Sequence, residues 1–89
     1  MTTDDDVQII LSRDQALVLS DWLSRRMTSP QFADVIDDRA VWSAFLRISG
    51  VLDKALVEPF RDDYDLLLDA ARERLNLRLG DFGQEQDGK

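Results

Sequence analysis

Residues 75–79 read Leu75-Asn76-Leu77-Arg78-Leu79, and two spacings compete in them. Apolar and polar residues alternate, which is the period of a half-buried strand. A helical pattern also runs into the segment from upstream, because Tyr64, Leu67, Leu68, Ala71 and Leu75 share one helical face. The choice decides the fold, since it decides whether the chain's strand-like run has a partner. That run is Val7-Gln8-Ile9-Ile10-Leu11, apolar and rich in β-branched residues. If residues 75–79 are strand, the two runs pair within the chain. If they are helix, the first run is alone, and a lone strand leaves its backbone groups unpaired. The continuous face from Tyr64 favours helix. The expected fold is therefore mainly α: one short N-terminal strand followed by a three-helix bundle, the strand pairing with its own copy across the two-fold axis of a homodimer.

Working outward from these two runs, local signals set the helix ends. Ser12 and Gln15 have the spacing of a capping box, so a first helix is expected from there. Its stripe is Ala16, Leu19, Leu23 and Met27, flanked by Val18 and Trp22, with Asp14, Leu17, Asp21 and Ser24 expected toward water. Arg25 and Arg26 suit the negative helix end. Ser29-Pro30 can start one short helical turn, whose Phe32, Val35 and Ile36 are expected to lid the core. Asp37 or Asp38 can cap a second long helix. Its main face is Val41, Phe45, Ile48, Leu52, Ala55 and Leu56, widened by Trp42, Ala44, Leu46 and Val51. So broad a face predicts a central helix. Gly50 sits on the polar side of that helix, where it permits close approach of a neighbour or marks a bend. Pro59 ends the helix, Asp62 or Asp63 caps the third, and Gly80 stops it. The segmentation is an acidic flexible leader over residues 1–6, one helical domain over residues 7–80, and a disordered polar tail over residues 81–89.

The totals restrict function. The 89 residues suffice for one domain, and 44% hydrophobic with 33% charged residues is a globular balance. The net charge of −7 repels phosphate backbones and anionic lipid, so neither nucleic acid nor membrane is an expected partner. There is no cysteine and no histidine, which removes thiolate chemistry, serine triads and the commonest metal ligands. Phosphate-binding glycine loops are also lacking. An enzyme, a cofactor and a metal site are therefore not expected. Asp62, Asp63 and Asp65 lack the glycine turn and final glutamate of a calcium loop, leaving at most weak divalent binding. The opening Met1-Thr2-Thr3-Asp4-Asp5-Asp6 lacks the basic flank and apolar run of a signal peptide, so a cytoplasmic location is expected.

The sharpest surface feature is on the third helix. Asp62, Asp65, Asp69 and Glu73 form a negative stripe opposite the core face, and Leu66, Ala70 and Leu77 lie beside it. An apolar strip bordered by like charges suits a partner: the apolar atoms supply area and the charges steer the encounter. The second helix carries Arg39, Arg47 and Lys54, so the surface is bipolar. The expected function is a protein–protein interaction module binding a basic partner, with an immunity or antitoxin-like protein as its sharpest form. The alternative is a small-molecule or peptide sensor with a pocket between Trp22, Phe45 and Trp42.

Leu11 to Leu19 read Leu-Ser-Arg-Asp-Gln-Ala-Leu-Val-Leu; a tryptophan helix follows, then Val57-Glu58-Pro59-Phe60, Asp63-Tyr64-Asp65-Leu66-Leu67 and Ala70-Ala71-Arg72. This order resembles small acidic proteins of GC-rich bacteria over residues 7–75. The matching stretches are helix starts and stops, not a site, so the resemblance carries no activity across.

Overall fold

The structure, a computed structural model, describes residues 6–81. The acidic leader and the polar tail, apart from Asp6 and Asp81, lie outside the described residues. Four helices follow one another: α1 (Arg13–Arg26), α2 (Pro30–Val35), α3 (Val41–Ala55) and α4 (Tyr64–Leu79), with a 3-10 turn at Glu58–Phe60 before α4.

The caps explain most of these boundaries. The Ser12 hydroxyl accepts the Gln15 N–H at 3.0 Å, and the Gln15 side chain accepts the Ser12 N–H at 2.8 Å. This reciprocal pair starts α1 where the sequence predicts. Ser29 caps α2 through the Phe32 N–H at 3.2 Å, and Pro30 fills its first position, where no N–H is needed. α3 starts without a side-chain cap; Asp38 instead accepts the Ala40 N–H at 3.0 Å, bracing the turn before it. Asp63 stands at the α4 cap position, but its carboxylate is held by Arg61 at 3.0 and 3.2 Å and caps nothing. Gly80 ends α4 at a φ of 60°, a conformation that glycine adopts without strain.

α4 runs unbroken through Leu79, so residues 75–79 are helix. That removes the intramolecular partner of Val7–Leu11. Residues 7–11 are accordingly not strand in the single chain, and no described residue is. The strand expectation fails at this level for want of a ladder partner, not for want of β-forming side chains.

The core gathers Leu17 and Leu23 of α1, Leu52 of α3, Leu56 just after it, and Leu68 and Ala71 of α4. Three expectations are corrected here. α1, not α3, is central: it packs against both other long helices. Val41, Ile48, Ala55, Ala44, Leu46 and Val51 of the broad α3 face are all exposed. Leu17 and Asp21 do not face water. Leu17 is buried, and the Asp21 side chain is only 15% exposed. A helix contacted on two sides needs a wider inward face than the single stripe Ala16–Leu19–Leu23–Met27. Phe32 is buried as expected, whereas Val35 is 74% exposed and lids nothing.

Candidate interaction surface

Polar side chains lock α4 onto α1. Asp21 of α1 accepts from Arg25 at 2.9 Å, from Arg72 at 3.1 Å and from the Tyr64 hydroxyl at 3.4 Å. Arg74 grips Asp14 with two bonds of 2.7 and 2.8 Å. Arg13 grips Glu58 of the 3-10 turn with bonds of 2.9 and 3.0 Å. Paired planar forks of this kind hold orientation better than single contacts. They turn the remaining face of α4 outward.

That outward face carries the strip read from sequence. Leu66 is 72% and Leu77 78% exposed, with Ala70 half-buried between them. Asp62, Asp65, Asp69 and Glu73 are exposed alongside. Asp69 is engaged by Arg72 of its own helix at 3.0 Å. Asp62, Asp65 and Glu73 have no ion-pair partner among the described residues. Six of the seven predicted residues thus lie on α4, five of them exposed and Ala70 half-buried, and Asp62 stands in the turn before it.

Hydrogen bonding to Arg74 holds the Asp14 carboxyl below the usual carboxylate range, and hydrogen bonding to Arg13 does the same for Glu58. Burial, helped by the nearby Asp21 charge, pushes the Tyr64 phenol up. Each shift moves the group away from neutral pH, the reverse of what acid–base chemistry needs.

The space between Trp22, Phe45 and Trp42 is filled. Phe32 inserts there and meets all three rings edge to face, with centroids 5.6, 5.3 and 5.4 Å away. The alternative reading sets a ligand pocket at this place, where the structure has an aromatic cluster. Sequence reasoning missed the role of Phe32, because α2 is too short to show a periodic face.

A second open surface lies on α3. Val7, Ile9 and Leu11 line a groove of about 400 Å³ with Leu19, Ile48, Val51 and Leu52, and Arg47 stands at its edge. Two shallower hollows follow the other side of α3, past Trp42, Leu46 and Gly50. No atom lies within 4 Å of a Cβ built on Gly50, so this glycine does not serve close packing within the chain. Among the described residues, no helix is long and apolar enough to cross a membrane.

Comparison with family models, with curated proteins and with solved structures finds no match for this chain.

Proposed function

We propose that this chain is a non-enzymatic protein–protein interaction module that binds a basic partner through the outer face of α4. One observation carries the reading: Leu66 and Leu77 are exposed on a helix whose opposite face is already buried against α1, with acidic side chains along their border. Leu66, Ala70 and Leu77 form an apolar strip along that side, and apolar atoms rimmed by charge are the composition of a binding patch. An immunity or antitoxin-like role is the narrowest form of the proposal, with the acidic stripe entering a cationic cleft. Self-association through Val7–Leu11 accompanies it. Those backbone groups make no hydrogen bond to another described residue's backbone, and pairing with a second copy would satisfy them.

The test uses a defined probe, an amphipathic helical peptide of leucine and arginine, titrated calorimetrically into the full chain. The reading expects binding that weakens with added salt. Leu66→Asp should weaken it about tenfold, or ~1.4 kcal/mol, while leaving the melting temperature close to that of the parent. Absence of binding, or binding indifferent to both salt and Leu66→Asp, would remove the α4 assignment. A large loss of stability in Leu66→Asp would instead place Leu66 in the core.

A further inference from the structure

Val41, Ala44, Ile48, Val51 and Ala55 recur at alternating steps of three and four residues along the whole of α3. That is the spacing of a coiled-coil seam. It is distinct from the inward stripe of Phe45, Leu52 and Leu56, which meets the core. All five seam residues are exposed. The fold covers this seam only in part: Ile48 and Val51 line a groove with Val7, Ile9 and Leu11, and Val41, Ile48 and Val51 remain 40%, 36% and 58% exposed. We infer that this seam is the self-association surface, covered by the α3 seam of a second copy running antiparallel about a two-fold axis near Ile48. The inference rests on the self-association in the reading above but places the interface on α3 rather than in a backbone pairing of residues 7–11.

Two features select this occupant. The first is shape. Reversing the seam about Ile48 sets Val41 against Ala55 and Ile48 against itself, and brings Ala44 within one residue of Val51. The outer layers set large against small, and the central layer sets one Ile48 against the other. A two-fold axis makes the same surface complementary to itself, and this pattern is near-palindromic. The second is area. Val7 and Ile9, 87% and 79% exposed, line a groove with the seam's Ile48 and Val51, and Val51 is itself 58% exposed. A fully buried side chain of this size removes roughly 60–120 Å² from water. The seam and the adjoining arm thus offer on the order of 400 Å² of apolar side chain per copy. A standard interface buries about 800 Å² per partner, a little over half of it apolar. The patch is the right size for a stable dimer, and its arm lies directly against the seam.

The chain contains no cysteine, which permits a direct test in the full-length protein. Ile48→Cys, Val51→Cys and Leu66→Cys are made singly and air-oxidised, and absolute mass is measured by light scattering alongside. Position 48 lies at the proposed axis, so two copies of it come within disulfide reach. The inference expects a dimer by mass, near-complete cross-linking at 48, and at least about tenfold less at 51 and 66. Val51→Glu on the parent background should raise the dimer dissociation constant by at least about 100-fold without unfolding the chain. A dimer that survives Val51→Glu, fails to cross-link at 48 and is lost in Ile9→Pro would overturn the seam and keep the strand-paired dimer. A monomer at every concentration would overturn both, leaving the α4 surface as a separate question.

Discussion

Phe32 is the residue on which one end of the molecule turns. It is buried and holds Trp22, Trp42 and Phe45 around it in edge-to-face contacts. Three elements meet at this side chain: α1 through Trp22, α3 through Trp42 and Phe45, and its own short helix. Phe32→Ala should cost about 3–5 kcal/mol, since three rings cannot all move to fill the gap. Chemical denaturation read by tryptophan fluorescence would show it, and a loss under ~1 kcal/mol would mean the cluster is loosely packed. At this scale the sequence was legible wherever the signal was local. Ser12 with Gln15 and Ser29 with Pro30 are complete within four residues and formed as read. Asp63 was placed correctly but does something else, because Arg61 two residues away competes for its carboxylate. Asp21 was misread for a related reason. A carboxylate is expected in water unless partners are known, and two of its partners, Tyr64 and Arg72, are more than forty residues away.

Between elements, the contact of α1 with α4 fixes where the binding strip points. Ala71 is fully buried in it, so the backbones approach closely there. Ala71→Leu should destabilise the chain by about 1–3 kcal/mol through overpacking, measured as a drop in the thermal midpoint. The arginine forks add a pH dependence. Asp14 and Glu58 both have folded-state pKa values below their unfolded ones. Their contribution is therefore fully present above about pH 4 and fades as the pH falls through the lower folded values. These are surface pairs, so thermal midpoints measured from neutral pH into that acid range should fall modestly on their account in the parent. They should fall less in an Asp14→Asn, Glu58→Gln double variant; equal slopes would show that these forks do not link proton binding to folding. The rank of the helices was the part sequence could not supply. Apolar residues cover a wide arc of α3, and width was read as centrality. Width shows how much apolar surface a helix has. It does not say whether the partner that covers it lies in the same chain. The run Val7–Leu11 teaches the same lesson, since its β-forming residues are plain but a strand exists only with a neighbour.

At the scale of the molecule, the α4 strip and the α3 seam are both open among the described residues, and their charges differ. The α4 strip is bordered by acids, whereas Arg47 and Lys54 border the α3 seam. Salt should act on them with opposite sign. Binding of a cationic peptide at α4 weakens as salt screens attraction. Self-association through α3 strengthens, because salt screens repulsion between the seam's paired basic borders and between two chains of net charge −7 each. Light scattering and calorimetry on one sample, at about 0.05 and 0.5 M salt, would separate the two; the same sign for both would contradict this division of the surface. The strip was legible in the sequence because acidic and apolar positions on one helix keep their relation wherever the helix packs. What sequence left open was its exposure, which depends on which face α1 selects.

The central claim, that the outer face of α4 receives a basic partner, is tested most directly by following the backbone amides of the labelled full-length chain by NMR during titration with the leucine–arginine peptide. The account predicts shifts concentrated at Asp62, Leu66, Asp69, Ala70, Glu73 and Leu77, with Ala71 and the Phe32 cluster little changed. Shifts confined to α3 and residues 7–11, or none at saturating peptide, would contradict it.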